Sequence, residues 1–337
     1  MESSLLNTSL KDILNLYPYI GDFFESAGLL DFPGESLNIN SYIESLNDEV
    51  LLENGLSKES LKEEVLIFIE KMESLKKKQA SIDSLTILGG FNKNGEAENI
   101  ELTLKKGSIV SIVGPTGSGK SRLLSDIECL AQRDTQTGRK ILINGKEPNY
   151  NERFGLENKL IAQLSQNMNF VMDLPVEEFL KLHCESRMVN NIENTVNLII
   201  EYANNLAGEK FSGKTPLTQL SGGQSRSLMI ADTALLSSSP IVLIDEIENA
   251  GVDRKSALDL LVKKEKIVLM STHDPILALI GDKRIVIENG GIKKVIETSQ
   301  KEKENLNSLD EIDKYLLDLR NMLRLGEVID FPIKNLK

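Results

Sequence analysis

Apolar residues change their spacing along this chain, and the changes divide it. From residue 1 to about 82 they recur at three- and four-residue steps, the mark of amphipathic helices. Ser9-Leu10-Lys11-Asp12 reads as a capping box ahead of Ile13, Leu14 and Leu16, and Pro18 bends or ends that helix. Phe23-Phe24 and Leu29-Leu30 supply a small core, with a turn at Asp31-Phe32-Pro33-Gly34. Ser60-Leu61-Lys62-Glu63 starts a stronger helix carrying Leu61, Val65, Leu66, Ile69 and Met72 on one face. Beyond a linker at Ala80-Ser81-Ile82-Asp83 the period shortens to that of strands. Leu85 to Leu88, Ile100 to Leu104 and Ile141 to Asn144 are short strands followed by turns. Ile109 to Val113, Ile241 to Ile244 and Ile267 to Met270 are nearly unbroken apolar runs, as expected of parallel strands buried on both faces. A mostly helical insert occupies about 167–219, clearest at Val176 to Leu182 and Ile192 to Leu206. Residues 300 to 325 form a charged helix with Leu309, Ile312, Leu316, Leu319 and Leu323 along one stripe. That stripe is expected to pack on the body or on a second copy.

Polar residues at the ends of the buried strands carry the candidate chemistry, since ligands of open α/β sheets bind at the carboxyl ends of strands. After the first comes Gly114-Pro115-Thr116-Gly117-Ser118-Gly119-Lys120-Ser121, a phosphate-binding loop between strand and helix. Its glycines let successive N–H groups face one phosphate, and the following helix adds its positive end. Lys120 can reach the β- and γ-phosphates, and Ser121 can hold Mg²⁺. The second run ends in Asp245-Glu246 and the third in Ser271-Thr272-His273.

Bulk properties narrow the rest. The 337 residues are 40% hydrophobic and 27% charged, with net charge −12. An acidic chain is not expected to coat nucleic acid, which needs a basic face; Lys76-Lys77-Lys78 reads as a solvated helix end. Two cysteines, Cys129 and Cys184, form no disulfide framework and suit a reducing, cytoplasmic compartment. His183 beside Cys184 lacks metal-ligand spacing. The start has no basic leader, and no segment approaches eighteen apolar residues. The chain is therefore expected neither to insert in a membrane nor to be exported.

Leu220-Ser221-Gly222-Gly223-Gln224 completes a set. Together with the phosphate loop, Asp245-Glu246 and His273, in that order and spacing, it resembles the ABC ATPases over about residues 84–298. The resemblance implies an α/β fold: a P-loop NTPase cassette with a mostly parallel sheet core, an antiparallel β subdomain and a helical subdomain, preceded by a small all-α domain. The implied domains are 1–82, the cassette at 83–299 and a C-terminal amphipathic helix at 300–337. It also implies roles. Asp245, Ser121 and Gln166 would hold Mg²⁺; Glu246 would polarise water; His273 would bond the γ-phosphate. Gln163 is the rival for the glutamine, set aside because Pro175-Val176-Glu177-Glu178 follows Gln166 at the usual distance. Glu248 is the rival base two residues beyond Glu246, and alternation alone leaves it open. Phe91 would stack on adenine, and Asp253 would lie at a dimer seam. Ser221, Gly222, Gly223 and Gln224 would close over the phosphate held by a second cassette, so the chain is expected to pair with itself or with another cassette.

Departures qualify the likeness. Asp245-Glu246-Ile247-Glu248-Asn249 replaces the usual Asp-Glu-Pro-Thr, Asp232 replaces a usually basic residue, and the acidic loop of exporters is missing between Lys210 and Thr218. Leu10 to Pro18 distantly resembles helical domains of bacterial iron–sulfur repair proteins, whose cysteine motif is absent here; docking or dimerisation is its expected role. The first reading is a cytosolic ATPase that moves a client through ATP-driven closure. The second is the nucleotide-binding subunit of a transporter, docked to a membrane protein. The third is an ATP-gated scaffold with slow hydrolysis.

Overall fold

The computed structural model describes residues 5–17, 19–29, 37–77, 82–155, 159–165, 170–246 and 253–333. Pro18, the turn at 31–34, Ala80-Ser81, Gln166 and Glu248 lie outside them. The chain divides into two compact units, Met1–Ala80 with Cys184–Asn190, and Ser81–His183 with Asn191–Lys337.

The first unit is helical: α1 (Leu10–Leu16), α2 (Ile20–Ser26), α3 (Ile39–Ser45), α4 (Asp48–Glu53) and α5 (Lys58–Lys77). Ser9 caps α1 by accepting from the Asp12 N–H, as the sequence pattern requires. The strong helix begins at Lys58, not at Ser60. Ser57 and Ser60 bond each other's backbone N–H reciprocally, so the cap sits one turn earlier than the apolar stripe indicates. Ile13, Ile20, Phe24, Tyr42, Leu61 and Val65 are fully buried in its core.

The second unit is built on β1 (Ser84–Leu88), β2 (Glu101–Lys105), β3 (Ile109–Val113), α6 (Lys120–Glu128), β4 (Lys140–Ile143), α7 (Tyr150–Phe154) and β5 (Ile161–Leu164). Then come α8 (Val176–Ser186), α9 (Ile192–Leu206), α10 (Gly222–Leu235), β6 (Ile241–Asp245), α11 (Arg254–Lys263) and β7 (Ile267–Ser271). It closes with α12 (Pro275–Ile280), β8 (Lys283–Glu288), β9 (Gly291–Glu297) and α13 (Gln300–Arg324). Among the described residues there are two sheets. One is antiparallel, in the order β2-β1-β4. The other runs β5-β6-β7-β3-β8-β9 and is parallel up to the β8–β9 hairpin. The large sheet buries both faces, so its strands are apolar throughout. Val110, Ile112, Leu243 and Leu269 point toward α6 and the small sheet. Val242, Ile244, Val268 and Met270 point toward α10 and α11. Neighbouring order matters most for the site: β6, β7 and β3 lie side by side, and Asp245 and Ile112 both pair with Ser271. All three strand ends therefore stop at one level.

β5, β8 and β9 had no counterpart among the expected strands. β5 is only four residues long, and the alternation of β8 and β9 is diluted by charge, as in Lys283-Arg284-Ile285-Val286-Ile287-Glu288. The stripe on α13 is only partly covered. Leu319 is buried and Leu309 and Ile312 are half-buried, but Leu316 and Leu323 are exposed. No described helix is long and apolar enough to cross a membrane.

A buried charge cluster locks the small sheet to the large one. Arg139, with no exposed surface, donates to both carboxylate oxygens of Glu98 (3.0 and 2.5 Å), to Asp126 on α6 (2.8 Å) and to the Gly290 carbonyl (2.8 Å). Glu98 also accepts from the N–H groups of Gly90 and Ile292. Burial pushes the Glu98 carboxyl up, but Arg139 and these N–H groups outweigh it and hold the group below the usual carboxylate range. Arg139 is raised for the complementary reason, its carboxylates outweighing the burial that would lower it.

Removing one partner of a buried pair strands the others, a loss of about 3–5 kcal/mol. Arg139→Leu should lower the unfolding free energy by that order in a urea titration; a loss below about 1 kcal/mol would contradict the locking role. Glu98 contributes stability above its unfolded pKa of about 4.3, and that contribution should fade as pH falls through its lowered folded value.

Candidate functional site

The loop between β3 and α6 bends where only glycine fits. Gly119 has φ 107°, and a Cβ there would lie 2.9 Å from the Gly290 Cα. A Cβ on Gly114 would meet the Ile287 carbonyl oxygen at 2.4 Å. The Gly290 N–H donates to the Ser118 carbonyl (2.7 Å), so the β8–β9 turn braces the loop from outside.

Lys120 opens α6 and is 6% exposed. Its ammonium donates to the carbonyls of Gly114 (2.9 Å) and Pro115 (3.3 Å) and lies 3.0 Å from His273 Nε2. His273 Nε2 is also 3.5 Å from Glu246 Oε1. One nitrogen cannot accept from lysine and donate to a carboxylate together; the shorter contact makes Nε2 the acceptor. Ser121 Oγ reaches Asp245 Oδ2 at 3.5 Å. Two hard oxygen donors side by side at a phosphate loop suit Mg²⁺, which binds through few protein ligands and keeps much of its water. Among the described residues no group of three or more His, Cys, Asp or Glu could hold a metal by itself.

The level strand ends explain the convergence. Glu246 N–H donates to the Ser271 carbonyl (3.1 Å), and Thr272 N–H donates to the Ile112 carbonyl (3.1 Å). The segments carrying Glu246 and His273 are thus tied across the sheet. Glu246 itself has φ 51°, a left-handed conformation that costs a non-glycine residue free energy.

A cavity of about 600 Å³ opens over these residues, lined by Phe91, Lys93, Lys120, Gln136, Glu246 and His273 among others. Thr116, Gly117, Gly119 and Ser121 also face it. Phe91 is 49% exposed beside Gly138, with its N–H donating to the Thr137 carbonyl (2.7 Å). Lys93, whose ammonium donates to the Gly117 carbonyl (3.2 Å), and Gln136, whose amide oxygen accepts from Arg122 (2.6 Å), were not singled out by sequence. Asn92-Lys93-Asn94-Gly95 has only the residue types of a turn, and nothing in the residue types around Gln136 marks a pocket.

Other expected residues stand apart. Ser221 caps α10, its Oγ accepting from the Gln224 N–H (3.3 Å) while its own N–H donates to the Gln224 side chain (2.8 Å). Ser221 and Gly222 are exposed, Gly223 and Gln224 half-buried. Asp253 caps α11, accepting from the Ser256 N–H (3.1 Å) and hydroxyl (2.8 Å). Neither segment is among the described residues lining the cavity. Gln166 is not described; Gln163, its rival, is in β5. His183 meets Asp232 at 3.0 Å, which gives the unusual acid after the signature a partner on α8. Cys129 is exposed and Cys184 buried.

The ABC transporter family model matches residues 97–249. An uncharacterized ABC transporter ATP-binding protein of Methanocaldococcus jannaschii is 56% identical over 247 residues, 73% of this chain and 94% of that protein. The macrolide export ATP-binding/permease protein MacB of Aggregatibacter actinomycetemcomitans is 29% identical over 223 residues. That match takes in 63% of this chain but 33% of MacB, so the chain spans about a third of that relative. Among solved structures, a post-hydrolysis dimer of an ATP-binding cassette bound to ADP and Pi aligns with TM-score 0.48 and 24% identity, over 64% of this chain and 99% of that one. On the relative whose length it covers almost completely, this chain belongs to the ABC family of ATP-binding cassettes.

Proposed function

We propose that the chain hydrolyses ATP at two composite sites of a head-to-tail dimer and uses the cycle to move a partner. The observation that carries this is the meeting of Lys120, Ser121, Glu246 and His273 at one cavity, with Asp245 behind them in reach of the Ser121 hydroxyl. Lys120 and the α6 N-terminus would bind the β- and γ-phosphates, and the Phe91 ring would stack on the base. Ser121 and Asp245 would hold Mg²⁺, with Gln166 as the further expected ligand. When bound, the ion would draw off negative charge from the phosphate oxygens. Glu246 would orient the attacking water and accept its proton. His273 would hold the γ-phosphate by donating a ring N–H to it, once the Lys120 ammonium turns from the ring to the phosphates.

Exposure of the α10 N-terminus, away from the cavity of its own chain, supports completion in trans. Ser221, Gly222 and Gly223 would cover the phosphate bound by another subunit, with Asp253 at the seam. A second reading, the nucleotide-binding subunit of a transporter on the cytoplasmic face of a membrane, is favoured by the relatives, a transporter ATP-binding protein and an export ATP-binding/permease protein. A membrane protein co-purifying with the full chain would decide for it; a soluble client would decide for the first.

Glu246→Gln should keep ATP binding while turnover falls by about 10²–10⁴-fold. The stalled variant should run as a dimer with ATP–Mg²⁺ and as a smaller species without nucleotide on gel filtration. An active Glu246→Gln beside an inactive Glu248→Gln would transfer the role of base to Glu248. Ser221→Arg should bind ATP in a calorimetric titration but not hydrolyse it, because bulk and charge would block closure. Full turnover by Ser221→Arg alone would remove the composite-site model.

A further inference from the structure

The segment after His273 is wired to a helix at the far end of the chain. Asp274 spends one carboxylate oxygen as the cap of α12, accepting from the N–H groups of Ile276 (2.8 Å) and Leu277 (3.1 Å). Its own N–H donates to Thr272 Oγ1 (2.9 Å). Its other oxygen takes Nη1 of Arg254, the first residue of α11 and the neighbour of Asp253. Nη2 of the same guanidinium turns the opposite way and meets Asp313 Oδ2 on α13 at 2.6 Å. Arg254 and Asp274 are largely covered, at 22% and 14% side-chain exposure, and Asp313 is at 40%. A planar fork with two arms is what this geometry uses; an ammonium offers a point charge without fixed arms.

α13 is moored at its start by other contacts. Glu302 pairs with Arg284 at 2.5 Å, and Lys303 with Asp282 at 3.3 Å. Arg284 holds the Glu302 carboxyl down at about 2, with help from the Ser299 N–H. The helix start is thereby fixed on β8. About three turns further along, Asp313 is the described residue of α13 that reaches the segment beside His273 through Arg254. Lys255, the next residue of α11, has only a 4.0 Å approach to Asp310.

We propose that α13 is a built-in positioning element for hydrolysis: Asp313 holds Arg254 so that it clamps Asp274, and with it the backbone of His273. This rests on the hydrolytic reading given above. Displacing the helix loosens His273 against Lys120 and Glu246 but leaves the phosphate loop alone. Turnover therefore falls and nucleotide affinity does not. Arg254 directly follows the Asp253 cap in the chain, so a pull on α13 through that side chain acts on the start of α11 as well as on the segment after His273.

The test uses the full chain, with Asp313→Asn, Arg254→Lys and, as a control on the same helix, Asp310→Asn. Two readouts are taken: kcat and KM for ATP, and the histidine ring NMR signals of the nucleotide-free protein at one pH. The chain has two histidines, so His183→Gln assigns the His273 signal. Misplacement of a reacting group by about 1 Å is worth up to about 10²-fold. Asp313→Asn and Arg254→Lys should each lower kcat by roughly tenfold, with KM within about twofold of wild type. Both should shift or broaden the His273 signal, and Asp310→Asn should do neither. An unmoved His273 signal overturns the proposal whatever turnover does. So does unchanged kcat in a chain whose wild type is active, or an equal loss in Asp310→Asn. If the wild type hydrolyses no ATP, the functional reading falls, and the His273 signal alone still decides whether α13 positions that residue.

Discussion

A guanidinium with no access to water has to be paired, and the pairing of Arg139 determines how the two sheets meet. Its partners come from three places: Glu98 ahead of β2, Asp126 on the helix that follows the phosphate loop, and the Gly290 carbonyl in the β8–β9 turn. Thr137 adds a bond to the same Asp126 oxygen (2.8 Å). Each group would be costly to bury alone, so none can move without the others. The cavity's outer wall inherits that rigidity. Phe91 follows Gly90, whose N–H is bound by Glu98, and Gly290 in turn bonds Ser118 inside the phosphate loop. One ionic cluster thus spaces the aromatic ring from the phosphate cradle, although no atom of Arg139 is among those lining the cavity.

What could be read from the sequence follows a physical rule. Parallel strands buried on both faces write themselves as apolar runs, and β3, β6 and β7 were all visible. The residues at their ends were legible for the same reason, because side chains that interrupt such a run at its carboxyl end have a chemical purpose. Strands with one charged face were lost: β8 and β9 carry lysines and glutamates outward, and β8 joins the sheet through β3, distant in sequence. Arg139 was lost because a lone arginine among polar residues looks solvated until its two acids, distant in sequence, come into view. Lys93 belonged to a turn whose only local signal was its Asn and Gly. The helix cap at Ser57 was missed by one turn because hydroxyls, not the apolar stripe, set where α5 begins.

The sheet order gives the site its economy. With β6, β7 and β3 adjacent and in register at Ser271, three loops that are distant in sequence start from one line. Short backbone bonds from Glu246 to Ser271 and from Thr272 to Ile112 then keep the loops from splaying. Long flexible side chains would otherwise lose rotamer freedom to reach a common point. Here the Lys120 ammonium and the His273 ring meet at 3.0 Å, each carried by a segment that leaves the end of one of two paired strands, β3 and β7.

Glu246 has a consequence for how such a chain can drift. Its φ of 51° lies where glycine is at ease and a glutamate is not, at a cost on the order of 1 kcal/mol. Thermal robustness and chemistry therefore pull this position in opposite directions. A lineage or a laboratory screen rewarded only for surviving heat would be drawn toward glycine here and would lose the carboxylate next to His273. The acid persists only where something rewards what it does, so its retention in a heat-selected variant would itself report that the site is in use.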